Sequence, residues 1–83
     1  MSNGRLNSTE TALQLLETVT IEQGVTIDDL SEGDYRLEFL DRAQNVLGSL
    51  DLWTGLNELN NGTFTFDTDL SKMRAYRVIA GEE

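Results

Sequence analysis

From Gly33 onward, apolar side chains recur at every second position. Tyr35, Leu37 and Phe39 alternate with Asp34, Arg36 and Glu38, the period of a strand with one buried face. The polar turn Asp41-Arg-Ala-Gln-Asn45 then leads into Val46-Leu-Gly-Ser-Leu-Asp-Leu52, so the pattern predicts a hairpin. A helical reading competes with it. At 100° per residue, Tyr35, Phe39, Leu40, Ala43, Val46, Leu47 and Leu50 share a sector opposite Glu38, Asp41, Arg42, Asn45 and Ser49, which would suit a helix from Asp34 to Leu47 ended near Gly48. The hairpin is favoured because Gly33-Asp34-Tyr35 enters it abruptly and the flanking segments read as strands.

Upstream, Thr-Ala-Leu-Gln-Leu-Leu after Glu10 is rich in helix formers behind possible caps at Ser8 or Thr9, yet it flows into the β-branched run Val19-Thr-Ile21. Residues 8–18 therefore stay divided between helix and strand, with strand preferred after residue 13. Gln23-Gly24 punctuates the chain, and the alternation of Val25-Thr-Ile27 predicts a further short or bulged strand.

Downstream, Asn60-Asn61-Gly62 precedes Thr63-Phe-Thr-Phe-Asp-Thr68. Asn-Gly supplies the positive φ of a tight hairpin turn, so a strand with Phe64 and Phe66 on one face is expected. Met73 to Ala80 forms a last strand, whose charges on both faces mark it as a sheet edge. The fold class expected is mainly β, a small antiparallel sandwich or partly open barrel with at most one short N-terminal helix. A polar arm at residues 1–9 precedes a single domain at residues 10–83.

The run Val25-Thr-Ile-Asp-Asp-Leu30-Ser-Glu-Gly33-Asp-Tyr35-Arg-Leu37-Glu-Phe39 resembles the Leu-x-x-Gly-x-Tyr corner of transthyretin-like, fibronectin-like and bacterial immunoglobulin-like sandwich modules. In those modules an apolar residue closes one strand, Gly turns and Tyr begins the next. The resemblance covers residues 25–48 and implies a β-sandwich. Proline is absent and the chain is short for the family, which points to a reduced or open version. It implies nothing about function.

Composition narrows the chemistry. The chain of 83 residues contains no His and no Cys, so zinc, haem, copper and iron–sulfur sites lack their usual ligands and the Cys–His and Ser–His–Asp nucleophiles are missing. No cofactor and no enzymatic activity are expected. Asp67 and Asp69, with Asp28, Asp29 and Glu32, could supply oxygen ligands to calcium, but without the spacing of a calcium loop they read as solvated turn residues. No metal site is assigned. The sequons at Asn7 and Asn61 are read as unmodified, because the N-terminus shows neither the apolar centre of an export signal nor a membrane span. A cytoplasmic or virion location follows.

Six Lys and Arg face fifteen Asp and Glu, a net charge of −9. Such a surface repels a phosphate backbone, so direct nucleic-acid binding is not expected. What is left is binding. The leading expectation is a non-enzymatic interaction or structural module, either a homo-oligomer or part of a larger assembly such as an accessory or decoration protein of a viral particle. A second is an acidic inhibitor filling the basic nucleic-acid groove of a host enzyme. A third is a carbohydrate-binding β module with Trp53, Tyr35 or Tyr76 as a stacking platform. The candidate interface residues are Trp53, Arg74, Tyr76 and Arg77, since Trp, Tyr and Arg dominate binding energy where they are exposed.

Overall fold

Two glycines that the alternation casts as turns between strands instead stop helices. The computed structural model describes residues 8–81. Its elements are α1 (Ser8–Gln23), a short 3-10 turn (Ile27–Asp29), β1 (Tyr35–Leu40), β2 (Val46–Asp51), α2 (Leu52–Asn61) and β3 (Ala75–Ala80). The strands form one antiparallel sheet in the order β2-β1-β3. This is an α+β protein, which corrects the expected mainly-β sandwich or open barrel.

The preference for a strand after residue 13 fails because a helical stripe outweighs β-branching. Ala12, Leu16 and Val19, spaced i, i+4, i+7, all have zero exposure, and no period-two register would bury this set on one face. Thr20 fits the helix by donating its hydroxyl to the Leu16 carbonyl at 2.7 Å. Gly24, at φ +67°, ends α1. Its N–H donates to the Ile21 carbonyl at 3.1 Å while the Val25 N–H reaches Thr20 at 3.3 Å, the paired bonds of a left-handed helix stop. The strand expected at Val25-Thr-Ile27 is accordingly replaced by an irregular link into the 3-10 turn.

Helix α2 was not expected at all. Asp51 closes β2 and caps the helix, one carboxylate oxygen accepting from the Thr54 N–H and hydroxyl at 3.0 Å each. The other oxygen accepts from the Gly33 N–H at 2.8 Å, so a single carboxylate joins the end of β2, the start of α2 and the loop entering β1. Gly62, at φ 75°, stops α2 with the same pair of bonds as Gly24, here to Leu59 and Glu58. The positive φ expected at Asn61-Gly62 exists, but it caps a helix and turns no hairpin. At the middle of α2, Gly55 is buried where an added Cβ would lie 3.0 Å from a Leu16 methyl, so its missing side chain lets the helices approach.

The 34–52 hairpin forms as β1 and β2, and the helical reading of Asp34–Leu47 does not. Leu37 and Phe39 of β1 have zero exposure, while Arg36 is exposed. Leu40 follows a register shift, pairing with Val46 where Phe39 pairs with Gly48, so Leu47 is the extra residue of a bulge. β3 lies at an edge, as its charges imply, and pairs with β1 from Tyr35↔Ala80 to Leu40↔Ala75. Glu38 and Arg77 are directly opposite, with Nε 2.7 Å from Oε1.

The segment 63–70 keeps the alternation that suggested a strand. Phe64, Phe66 and Thr68 are half-buried, Leu70 has no exposure, and the odd-numbered residues face water. No strand pairs with it. The Thr9 hydroxyl takes the place of one, accepting from the Phe66 N–H at 3.1 Å and donating to the Phe66 carbonyl at 3.3 Å. Ser8 Oγ accepts from the Leu70 N–H at 3.1 Å. These anchors set the Phe66 ring edge-on to Phe39, centroids 5.1 Å apart. Ser8 and Thr9 thus belong to α1, and the rest of the polar arm, residues 1–7, lies outside the described residues.

Replacing Thr9 by Val keeps the shape but leaves both polar groups of Phe66 without their partner. A loss of about 1–2 kcal/mol is expected in urea denaturation with an unchanged slope, and an unmoved midpoint would show that the hydroxyl is not the tether. At the 41–45 turn, Asp41 accepts from the Asn45 and Ala43 N–H groups at 2.9 Å each. The Asn45 N–H is the main cause that holds its carboxyl below the ordinary 3.8. A depressed folded-state pKa contributes stability above the unfolded value, lost as pH falls through the folded one. Below about pH 4, wild type should therefore lose stability more steeply than Asp41→Asn; parallel melting-temperature curves for the two would refute this.

Candidate interaction surface

The four residues singled out in the sequence do not form one patch. Trp53 sits in the first turn of α2, half-buried against the core, with its carbonyl accepting from Asn57 Nδ2 at 3.0 Å. Arg77 lies on the open face of the sheet, held by Glu38. Tyr76, its neighbour on β3, points through the sheet to the core side, and its hydroxyl comes within 3.5 Å of Glu22 on α1. Arg74 joins Arg42 and Lys72 around a shallow hollow of about 330 Å³ beside the 41–45 turn, donating from one guanidinium nitrogen to the Met73 carbonyl at 3.1 Å.

A different surface collects apolar side chains in the open. Ile21 is 79% exposed, the most exposed large apolar residue described. It stands on α1 with Glu17 and Thr20, facing Leu56 and Leu59 of α2 across a groove of about 390 Å³. The geometry follows from two helical periods. The α1 stripe at Ala12, Leu16 and Val19 faces inward, and Ile21, two residues or about 200° round from Val19, is turned outward. On α2, Leu52 and Gly55 are buried, while Leu56 and Leu59 pack only partly against the core and leave apolar surface at the rim. The Thr20 hydroxyl is already used by the Leu16 carbonyl. Glu17 is the one ionisable residue in the lining.

Acids occur in both layers, but the described cations occur in only one. α1 carries Glu10, Glu17 and Glu22, α2 carries Glu58, and neither helix contains Lys or Arg. The cations among the described residues, Arg36, Arg42, Lys72, Arg74 and Arg77, belong to β1, the 41–45 turn and the chain from residue 71 to 80. The helical layer therefore presents negative charge alone around an apolar groove. Sequence reasoning missed it because residues 19–21 and 52–61 were not read as helical; with α1 drawn as a helix, Ile21 stands out as an isoleucine on the wrong side.

The carboxylates weighed for calcium are spent elsewhere in part: Asp29 accepts from the Thr26 hydroxyl at 3.0 Å and Asp69 from the Ser71 N–H at 2.9 Å. Among the described residues, no group of three or more carboxylates is arranged to hold a metal ion. No helix among them is long and apolar enough to cross a membrane. A scan of protein-family models matches no family, and searches of curated proteins and of solved structures return no match. None of these results bears on the resemblance of residues 25–48 to sandwich modules, although the architecture described above is not a sandwich.

If the groove is surface and not core, its residues should separate from their neighbours in stability. Ile21→Ser is expected to change unfolding free energy by at most about 0.5 kcal/mol, whereas Leu16→Ala, earlier on the same helix at zero exposure, should cost about 2–5 kcal/mol. Chemical denaturation of both variants tests this; a large cost at Ile21 would place it in the fold's own packing.

Proposed function

We propose that this protein is a non-enzymatic interaction module that docks a protein partner on its helical layer. The observation that carries the reading is Ile21, exposed to 79% at an apolar groove between α1 and α2. An isolated exposed apolar residue is ordinary, but one that continues into a concave apolar strip is the usual form of a docking site. The composition supports a binding role, since the chain offers no His or Cys for nucleophilic or metal chemistry. An accessory component of a larger assembly, a viral particle among them, is a setting this reading fits.

A second reading has its own support. A layer whose charged groups are all carboxylates matches an acidic inhibitor that occupies a basic nucleic-acid groove, with charge accelerating the encounter. The two differ in what holds the complex. Docking through the groove survives high salt and depends on Ile21, while phosphate mimicry is lost in salt and tolerates an apolar substitution. The carbohydrate reading draws no support from Trp53, packed as it is against the core.

The test is affinity capture with the full chain as bait, comparing wild type with Ile21→Asp at low and at about 1 M salt. A partner retained by wild type at both salts and lost from Ile21→Asp is the expected result. Equal recovery on both baits would rule out the groove as the docking site.

A further inference from the structure

We infer that the occupant of the α1–α2 groove is a cationic amphipathic helix, with an apolar stripe flanked by Lys or Arg. This rests on the docking reading above and names its partner's chemistry.

The first argument concerns backbone hydrogen bonds. The groove is walled by two helices, whose main-chain donors and acceptors are satisfied internally. A partner lying there finds no free N–H or C=O to pair with, so an extended segment would bury its own polar groups unsatisfied. A helix brings its backbone already paired and presents only side chains. Ile21 on one wall and Leu56 and Leu59 on the other offer apolar contact of the kind that i, i+3, i+4, i+7 anchors fill.

The second argument concerns charge. Glu17 is in the lining, and the remaining charged residues of the two helices are all carboxylates, with no Lys or Arg in either helix. A second copy seated in the same groove would bring the same carboxylates together, on a chain whose net charge is −9. Like charges juxtaposed at an interface oppose it, and opposite ones at the rim favour it. An anionic partner and a self-dimer are disfavoured for one reason, and a cationic rim is favoured for the same reason. The cations of the sheet layer do not alter this balance, because those described lie at the strands and loops and none lines the groove.

The experiment titrates the full chain with synthetic amphipathic peptides, followed by calorimetry and amide chemical shifts. One peptide carries a leucine stripe and lysines elsewhere; a second has the same stripe with glutamates; a third has the lysines with the stripe replaced by serine. The leucine–lysine peptide should bind at least about tenfold more tightly than either other, with shifts centred on Ile21, Leu56 and Leu59. Ile21→Asp should weaken it about tenfold or more. Glu17→Lys leaves the apolar lining in place, so it keeps the test valid even if Ile21→Asp disturbs folding, and it should narrow the gap between the lysine and glutamate peptides. Raising salt from about 0.01 M to about 1 M, which shortens the screening length from about 30 Å to about 3 Å, should narrow the same gap.

Equal or tighter binding of the glutamate peptide would overturn the charge inference and leave the groove as a docking site for another partner. Equal binding of the stripeless peptide would overturn it as unspecific attraction. A peptide-free dimer in sedimentation that Ile21→Asp dissociates would name a second copy as the occupant instead. Failure of every peptide, with the captured partner of the previous experiment still lost from Ile21→Asp, would overturn the helical occupant while the docking reading stands; failure of both would remove the two together.

Discussion

The inward face of β1 is the constraint on which the rest depends. β1 is the central strand, and Leu37 and Phe39 on it have no exposure. A three-stranded sheet cannot hide such a face by itself. Three pieces of chain cover it and its neighbours: α1 through Leu16 and Val19, α2 through Leu52, and the segment 63–70 through Phe66 and Leu70. Each buried side chain of this size contributes roughly 1.5–3 kcal/mol, and in a domain this small the margin over conformational entropy is narrow. The other face of the sheet holds Arg36, Glu38 and Arg77 together with the exposed Ile79, so that face is open to water and the burial falls on the first.

Covering one face with irregular as well as regular chain requires joints, and short polar side chains provide them. Thr9 satisfies both backbone groups of Phe66. Asp51 ties the Gly33 loop to the start of α2, and Asp41 gathers the β1–β2 turn around one carboxylate. Each substitutes for a ladder bond or a cross-link where none exists, and a chain without cysteine has no covalent alternative. Several of the acids that give the protein its net charge are therefore structural. Glu17 accepts no side-chain tether of that kind, and it stands at the groove where its charge is available to a partner.

The candidate site was legible only in part. The acidic excess was plain from composition, and so was the absence of His and Cys. The aromatic and cationic residues chosen as an interface, Trp53, Arg74, Tyr76 and Arg77, end up at separate places: by the core, beside a turn, through the sheet and on its open face. Strand neighbours such as Tyr76 and Arg77 point to opposite sides, so adjacency in sequence worked against their forming a patch. The groove joins Ile21 to Leu56 and Leu59 across a long sequence separation, and no local pattern can announce such a pairing.

By itself, the sequence determined where polarity alternates and, at Asn61-Gly62, where the backbone takes positive φ. The β1–β2 hairpin, the edge position of β3, the one-sidedness of residues 63–70, the break at Gly24 and the left-handed turn at Gly62 all express local patterns. Tertiary structure decided what those patterns were for. Alternation at 63–70 is the same whether the segment pairs with a strand or with one threonine hydroxyl, and a left-handed glycine ends a helix as readily as it turns a hairpin. Local periodicity measures which face is buried; only the packing of Ala12, Leu16 and Val19 against a sheet formed far along the chain selects helix over strand, because burial is a property of the surfaces brought together.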